Sequence, residues 1–390
     1  MHKKGEGGRE KKKETKRNPY PAFTTSSMQI EVSRKLGFSA SKTMHAAQKL
    51  YEGIEIDGEP TGLITYMRTD SVVMSSTAIN EVRNYVEKNI GKEYLPNEPR
   101  IYKSKAKNAQ EAHECIRPTD FSKTPENAKN LNKSELDLYA LIWKRALASQ
   151  AKAAEVLQTT VLISSLCDSA QFRLSGQVVT FEGHLKIFQD TKKEDDDKRI
   201  PDIREKSKMR LEQINKEQHF TEPPPRFNEA SLIKRLEEEG IGRPSTYASI
   251  ISKIQERNYV KKEKNRLVPE DTGRLLNFFL EAYFNKYIEY NYTAKLEENL
   301  DDISSGEKHW KDVIKGFWEE LSQSVEYAMS FRITEVLDNL NEKLANYLFD
   351  DGSGNIQKKC SLCNNGELGI KLSKTGAFIG CSSYPDCKYS

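Results

Sequence analysis

Hydrophobic residues recur at helical spacing in the first third of the chain. The spacing and its capping residues predict four elements there: a helix that Ser26 or Ser27 caps and Gly37 ends, a helix that Ser39 or Ser41 caps and that runs to about Glu52, a strand over Gly62–Met67, and a helix over about 75–89. We therefore expect a largely helical domain over residues 20–152.

A similar plan returns in the second half of the chain. Asn228 opens a helix that ends at Gly240, and Pro244 stands where the first turn of the next helix tolerates proline. The segment from Tyr259 to Val268 then predicts a hairpin. Helix, turn, helix and hairpin in this order are the plan of a winged helix, which usually presents its second helix to nucleic acid. A purely scaffolding pair of modules is the alternative.

Between these regions the apolar residues alternate, as they do in strands. The predicted strands are 159–164, 171–174, 178–181 and a further one from Met209. Residues 1–19 carry Lys, Arg, Glu and Gly with almost nothing apolar, which predicts a basic disordered tail. The expected fold class is a multidomain α+β protein, divided into 1–19, a winged-helix-like domain at 20–152, a β-rich segment at 153–226, a second winged-helix-like domain at 227–350, and a small module at 355–390.

The composition is polar, with 31% charged and 36% hydrophobic residues and a net charge of only +3. A nucleic-acid surface would therefore have to come from local patches. The chain has no run of 18 apolar residues, and its basic N-terminus has no apolar core, so neither a membrane span nor a secretory signal is expected.

The C-terminal module contains four of the six cysteines, at Cys360-x2-Cys363-x17-Cys381-x5-Cys387. This clustering favours metal ligation in a reducing cytoplasm, and the spacing is typical of a closed, structural zinc site with four thiolates. Free thiols are the alternative. Lysines and aromatic residues between the ligands, such as Lys371 and Phe378, could bind single-stranded bases, or Phe378 could form the core of the module.

Tyr66 and Arg68 place a phenol and a guanidinium at the end of an apolar, β-branched run. A tyrosine hydroxyl titrates near pH 10, and a neighbouring arginine favours its ionised form and also matches a phosphate. If Gly62–Met67 is a strand, the two side chains share a face. That arrangement suits a tyrosine that attacks a phosphodiester. A buried strand tyrosine beside a surface salt bridge is the simpler alternative.

Three parts of the chain resemble the type IA DNA topoisomerases, the bacterial topoisomerase I family: Leu63–Ser71, Asn108–Asp120, and Arg226–Val260 with its Gly240–Ile251 core. The resemblance extends from about Phe23 to Ser390. It implies that Tyr66 is the nucleophile, leaving a 5′-phosphotyrosine, and that Arg68 lowers the pKa of the phenol and neutralises the phosphate. It also implies relaxation of negatively supercoiled DNA without ATP, and the chain has no G-x-x-x-x-G-K-[ST] phosphate loop.

The resemblance also implies DNA contacts by Arg68, His113, Arg243, Thr246 and Arg257. A lone histidine such as His113 is more often structural, and Arg257 could instead form an i,i+4 pair on an exposed helix. Thr246 lies at a helix start, which is a natural phosphate site.

Members of this family begin with an acidic Toprim domain that holds Mg²⁺ beside the tyrosine. No such domain is found before Phe23, and acidic runs such as Glu194–Asp197 are typical of solvated surfaces. We therefore expect zinc but no Mg²⁺ ligands in this chain, and a separate Toprim-containing chain as a possible partner. The expected protein is a monomer of the bacterial cytoplasm and nucleoid that acts on single-stranded regions of DNA. The rival hypothesis is a non-catalytic fragment that binds single-stranded DNA.

Overall fold

The computed structural model describes residues 4–56, 59–103, 113–165, 170–189, 199–201, 203, 207–210, 212–350, 352–374 and 376–390. The chain forms two compact units, Met1–Pro225 and Arg226–Ser390. The acidic run Glu194–Asp197 and the first part of the second motif, Asn108–Ala112, lie outside the described residues.

Among its described residues, the first unit contains four α-helices: α1 (Thr25–Leu36), α2 (Ala40–Glu52), α3 (Ser76–Asn89) and α4 (Lys133–Ser149). Thr24 caps α1, so the expected cap at Ser26 or Ser27 is wrong by two residues or more. Ser27 is the third helical residue, and its hydroxyl accepts a hydrogen bond from the Thr24 amide, which completes a capping box. Gly37 ends α1 in the left-handed conformation, as expected.

The core of the first unit lies between these four helices. Its largest fully buried side chains include Phe23, Met28, Leu50 and Tyr139. Tyr66 is half-buried and packs against the same core. The helices therefore form the scaffold on which the tyrosine segment rests.

The N-terminal segment is a strand, which corrects the expected disordered tail. β1 (Lys4–Arg17) pairs antiparallel with β4 (Ala154–Ser165), from Gly5 opposite Ser165 to Arg17 opposite Ala154. The side chains of Lys11–Glu14 are exposed to water. A strand whose side chains stay in water needs hydrogen-bond partners for its backbone but no apolar residues, so the polar composition of this segment did not indicate a strand.

The complete sheet has the order β5-β4-β1-β6, with β5 (Gln171–Phe181) and β6 (Lys208–Arg210) at its edges. The two strands expected over 171–174 and 178–181 are thus one strand. A small hairpin, β2 (Ile54–Ile56) and β3 (Glu59–Thr61), follows α2.

The second unit begins with α5 (Glu229–Glu238), α6 (Tyr247–Glu256) and the hairpin of β7 (Val260–Glu263) and β8 (Arg266–Pro269). This is the order of elements predicted for the second winged helix. The turn between β7 and β8 is formed by Lys264 and Asn265, both at positive φ, as a two-residue hairpin loop requires.

The remaining part of the second unit is helical and ends in a small hairpin. Its elements are α7 (Asp271–Tyr283), α8 (Asn285–Ile288), α9 (Tyr290–Ser304), α10 (Trp310–Met329), α11 (Ile333–Lys343), α12 (Ala345–Leu348), β9 (Leu368–Ser373) and β10 (Gly376–Cys381). Leu340 and Leu344 form a buried cluster with Ile370, which joins the helices to β9. The expected α+β fold class is confirmed, and no described helix is both long and apolar enough to cross a bilayer.

Candidate active site and zinc-binding cluster

The segment that carries Tyr66 is an irregular loop, so the strand expected over Gly62–Met67 is wrong. Within it only Ile64 forms a bridge, with Pro118. The apolar residues that suggested a strand, Leu63, Ile64 and Met67, are buried in the helical core instead. Alternation along a strand therefore does not determine where Tyr66 and Arg68 point.

Thr25, at the start of α1, holds the C-terminal side of this loop. Its buried hydroxyl donates to the carbonyl oxygen of Met67 at 2.7 Å and accepts from the amide of Thr69 at 2.9 Å. The amide of Thr25 donates in turn to the carbonyl oxygen of Thr69 at 2.9 Å. One threonine thus satisfies the backbone on both sides of Arg68.

Thr65 holds the N-terminal side of the loop against the segment that follows His113. The Thr65 hydroxyl donates to the carbonyl oxygen of Cys115 at 2.7 Å. The Thr65 amide donates to the carbonyl oxygen of Arg117 at 2.9 Å. The amide of Arg117 donates back to the Thr65 hydroxyl at 3.0 Å. Tyr66 therefore lies between two anchored positions, which limits the motion of its backbone.

The ring of Tyr66 packs against two other rings. Tyr51, in the last turn of α2, packs edge-on at 5.3 Å between centroids, and His113 packs at 5.2 Å with the rings tilted by 41°. Within the part of the chain that the structure describes, the Tyr66 hydroxyl makes no hydrogen bond. The structure thus brings together Tyr66 and His113, which the sequence proposed, and adds Tyr51, which no spacing in the sequence indicated.

Arg68 is exposed and forms no ion pair with a described residue. A cation in this position is available to an anionic ligand, because no carboxylate of the described chain neutralises it. Arg117, in contrast, forms an ion pair, with its Nε 2.6 Å from Oε2 of Glu114. Asp120 accepts hydrogen bonds from Ser122.

Glu114 joins the histidine segment to helix α3. Its Oε2 accepts from Arg117 and, at 3.3 Å, from the amide of Ser75, the residue that caps α3. Burial alone would raise the pKa of Glu114, but the hydrogen bond and charge of Arg117, together with Ser75, hold it below its ordinary value. Glu114 is therefore a carboxylate at neutral pH, and it fixes the position of the chain next to His113.

In the second unit, Arg243 is engaged within the protein. Its Nη2 lies 2.6 Å from Oδ2 of Asp301, its Nη1 lies 3.8 Å from Oε2 of Glu297, and Nη1 also donates to the carbonyl oxygen of Gly242 at 2.8 Å. Burial alone would lower the pKa of Arg243, but these two carboxylates raise it. This network was not anticipated from the sequence, and a phosphate would have to compete with Asp301 for the guanidinium.

Thr246 and Arg257 lie at opposite ends of α6. The Thr246 hydroxyl accepts a hydrogen bond from the amide of Arg243 at 2.8 Å, so it shapes the turn before the helix. Arg257 follows the last helical residue, is exposed, and forms no ion pair with a described residue. Of the three proposed DNA contacts in this unit, Arg257 has the most accessible charge.

The four C-terminal cysteines converge, with all four sulfur atoms within 4.8 Å of one another. Cys360 and Cys387 are 3.7 Å apart, as are Cys363 and Cys381. Four sulfurs bound to zinc at about 2.3 Å with tetrahedral angles would lie about 3.8 Å apart, so the cluster fits Zn²⁺.

Backbone amides prepare the cluster for a cation. Hydrogen bonds from Gly366 and Asn365 lower the pKa of Cys363 to about 6, so this thiol ionises readily. All four ligands are protein thiols, which leaves no open coordination position and assigns the site to folding. Phe378 on β10 is 42% exposed and Tyr384 is 74% exposed, so Phe378 is not the core of the module.

Comparisons with known proteins agree with this architecture. The family described as DNA topoisomerase matches residues 8–315, and the topoisomerase DNA-binding C4 zinc finger matches residues 357–390. The first of these matches covers more than half of the chain, so the chain belongs to a DNA topoisomerase family. More narrowly, the chain belongs to the type IA DNA topoisomerase I family of bacteria.

The individual relatives are longer than this chain. DNA topoisomerase 1 of Rickettsia felis is 47% identical over 384 residues, which cover 97% of this chain and 49% of the relative. DNA topoisomerase 1 of Zymomonas mobilis is 44% identical over 387 residues, which cover 97% of this chain and 31% of that relative. The structure of full-length topoisomerase I from Thermotoga maritima matches with a TM-score of 0.81 and 33% identity, covering 98% of this chain and 59% of that one. The chain thus spans about half the length of the Rickettsia relative.

Proposed function

We propose that this chain carries the DNA-cleaving tyrosine of a type IA DNA topoisomerase I, and that Tyr66 is that residue. The single observation that carries the proposal is the anchored loop in which Tyr66 lies beside His113, with the exposed, unneutralised Arg68 two residues further on. A fixed nucleophile next to a free cation is the arrangement that attack on a phosphodiester requires.

The reaction is an exchange of ester bonds. The Tyr66 oxygen attacks the backbone phosphorus, a bond forms between them, and the bond from phosphorus to the 3′ oxygen breaks. The phenol proton is lost and the departing 3′ oxygen gains one, so the 5′ end stays attached to Tyr66. The reverse reaction reseals the strand after passage, without ATP, because the phosphotyrosine preserves the energy of the ester.

Arg68 and His113 act on the phosphate in this proposal. Arg68 favours the ionised phenol and offsets the negative charge that develops on the phosphate oxygens. His113, whose ring packs against that of Tyr66, contacts the same phosphate. Arg243, Thr246 and Arg257 bind the DNA backbone, and the zinc-bound module adds exposed rings on which single-stranded bases can stack.

Within the described residues, the cysteine cluster is the only group of three or more His, Cys, Asp or Glu side chains that could hold a metal ion. No step above depends on Mg²⁺ held by this chain. We propose that the metal comes from a Toprim-containing part of the enzyme, and that the substrate is single-stranded DNA within negatively supercoiled duplex in the cytoplasmic nucleoid. Without such a part, the chain would act as a monomeric single-strand binder.

An adduct assay tests the assignment. A single-stranded oligonucleotide labelled at its 3′ end is incubated with the chain and Mg²⁺, with and without the part of the Rickettsia felis enzyme that this chain does not span. We expect labelled protein from the wild type and from Tyr51→Phe, a matched control that removes a neighbouring hydroxyl, but not from Tyr66→Phe. All three should bind the oligonucleotide equally.

Two outcomes would contradict the proposal. An adduct formed by Tyr66→Phe would show that another residue is the nucleophile. Binding without any adduct, even when the missing part of the enzyme is supplied, would favour the non-catalytic binding fragment.

A further inference from the structure

The backbone of the Tyr66 loop is anchored, but its ring is held by packing alone. Thr65 and Thr25 hold main-chain groups on the two sides of the tyrosine. The Tyr66 hydroxyl forms no hydrogen bond with a residue that the structure describes. The direction of the phenol oxygen therefore depends on the torsions of the side chain, and only the neighbours of the ring can select one rotamer.

Tyr51 supplies one of the two rings that pack against Tyr66. The two ring planes make an angle of 65°, and their centroids are 5.3 Å apart. This is the edge-to-face geometry that pairs of aromatic rings favour. Tyr51 is 41% exposed, and its own hydroxyl forms no hydrogen bond with a described residue. The contact between the two residues is therefore made by the ring of Tyr51 and not by its hydroxyl.

The backbone around Tyr51 is joined to the start of the tyrosine loop. The amide of Leu63 donates to the carbonyl oxygen of Leu50 at 2.7 Å, and both side chains are buried. Gly62 passes so close that a Cβ atom at this position would lie 2.7 Å from the carbonyl oxygen of Tyr51. The last turn of α2 and the start of the loop are thus fixed to each other, which keeps the Tyr51 ring beside Tyr66.

The other ring, that of His113, has a second task in the proposed reaction. It contacts the phosphate, so its position has to adapt to the substrate as well as to the tyrosine. Tyr51 has no contact with the phosphate in that reaction. Its ring can therefore hold Tyr66 in the same place before and after DNA binds.

We propose that Tyr51 is a positioning residue for DNA cleavage, whose ring holds the Tyr66 phenol in the orientation from which its oxygen reaches the scissile phosphorus. This inference rests on the proposed role of Tyr66 as the nucleophile. A phenol that samples several orientations attacks from only one of them, so removal of the packing ring lowers the rate of attack. Binding of DNA does not depend on Tyr51, because Tyr51 does not touch the phosphate.

Three variants separate the ring of Tyr51 from its hydroxyl and from a general loss of packing. Tyr51→Ala removes the ring, whereas Tyr51→Phe keeps the ring and removes only the hydroxyl. Tyr327→Ala in the second unit is the matched control. Tyr327 is 55% exposed and also packs edge-on against another ring, that of Phe331, at 5.1 Å between centroids.

The first measurement is the rate of adduct formation in a single turnover. It uses the 3′-labelled oligonucleotide, Mg²⁺ and the part of the Rickettsia felis enzyme that this chain does not span. At saturating oligonucleotide, Tyr51→Ala should lower the rate by roughly tenfold, the upper end of what one edge-to-face ring pair contributes. The oligonucleotide concentration that gives half the maximal rate should not change. Tyr51→Phe and Tyr327→Ala should react at the wild-type rate.

Fluorine NMR of this chain alone gives a second measurement, which does not depend on activity. With 3-fluorotyrosine at position 66, the packed ring in the wild type and in Tyr51→Phe should give a signal displaced from that of the free amino acid. In Tyr51→Ala the signal should move toward the free value, because the ring then exchanges rapidly between rotamers. Tyr327→Ala should leave the signal in place.

The outcomes distinguish failure of this inference from failure of the proposed function. An unchanged fluorine signal in Tyr51→Ala would overturn the positioning role whether or not an adduct forms. A wild-type rate in Tyr51→Ala would also overturn it, while the loss of the adduct in Tyr66→Phe would still support Tyr66 as the nucleophile. If the wild type forms no adduct at all, both proposals fail together.

Two further results would assign Tyr51 a different role. A higher half-maximal concentration with an unchanged maximal rate in Tyr51→Ala would make Tyr51 a DNA contact. A rate in Tyr51→Phe as low as that in Tyr51→Ala would assign the effect to the hydroxyl. Either result would contradict a ring that acts only on the position of Tyr66.

Discussion

The hydroxyl of Thr25, in the first turn of α1, donates a 2.7 Å hydrogen bond to the carbonyl oxygen of Met67, the residue that follows Tyr66. The two residues are 42 positions apart, and Thr25 is completely buried. The same hydroxyl accepts from the amide of Thr69. The helix therefore fixes the proposed nucleophile through backbone hydrogen bonds of its loop, and leaves the tyrosine ring and hydroxyl available to a substrate.

Removal of this hydroxyl should both destabilise the protein and slow formation of the adduct. Thr25→Val keeps the shape of the side chain but leaves the Met67 carbonyl and the Thr69 amide without this partner in a buried place, at a cost of about 1–3 kcal/mol. Urea unfolding measures the loss. Thr77→Val on the exposed surface of α3 is the matched control and should be close to neutral. Equal stability of the two variants would show that the loop does not depend on Thr25.

The ion pair of Glu114 and Arg117 should make stability depend on pH. The pKa of Glu114 is lowered in the folded protein, so the pair contributes stability above the unfolded-state pKa of about 4.3, and that contribution is lost as the pH falls through the folded-state pKa. Glu114→Gln should therefore be less stable than the wild type at pH 7, and the difference should shrink in acid. Denaturant unfolding at several pH values measures it, and a difference that grows below pH 4.3 would contradict the ion-pair interpretation.

Loss of one cysteine ligand should unfold the C-terminal module without affecting the helical core of the first unit. Cys363→Ser should abolish stoichiometric zinc, because a structural site requires all four thiolates for its folding free energy. Zinc release measured with a colorimetric chelator gives the stoichiometry. Cys115→Ala is the control, since burial raises the pKa of this thiol to about 12 and keeps it away from metal chemistry. Full zinc content in Cys363→Ser would contradict the four-thiolate site.

Arg243 and Asp301 offer a test of DNA binding in the second unit. If Arg243 binds a phosphate, Arg243→Ala should weaken binding equally for all sequences and reduce the salt slope by about one unit. Asp301→Asn should have the opposite effect and strengthen binding, because it removes the carboxylate 2.6 Å from the guanidinium. Salt titrations with a fluorescent oligonucleotide measure both. Loss of stability in both variants with no change of slope would show that Arg243 is only structural.

Local chemistry explains what could be predicted from the sequence. The helix boundaries near Gly37 and Ser39 depend on capping residues that act within four residues. The spacing of the four cysteines in the C-terminal module indicates metal ligands, because a short hairpin brings them together. The β7–β8 hairpin likewise needed only its turn and flanking residues. In each case the deciding interactions lie close together in the chain.

The failures have a common physical cause. Lys4–Arg17 forms a strand because it pairs with a second strand that begins at Ala154. The composition of Lys4–Arg17 contains no information about that distant partner. The segment Gly62–Met67 has the alternation of a strand but finds buried neighbours in the helical core in place of a flanking strand. Both errors came from long-range contacts, backbone pairing in the first segment and side-chain burial in the second, which outweigh local preference.

The sequence alone determined the family, the proposed nucleophile Tyr66, the zinc ligands and most helices. Motifs and helix caps consist of residues close together in the chain, so they can be recognised without the fold. Only the tertiary structure decided which rings pack against Tyr66, which threonines hold its loop, and that Arg243 is paired with Asp301. These features join residues tens of positions apart, so they exist only once the core has packed and backbone hydrogen bonds have fixed the loops against it.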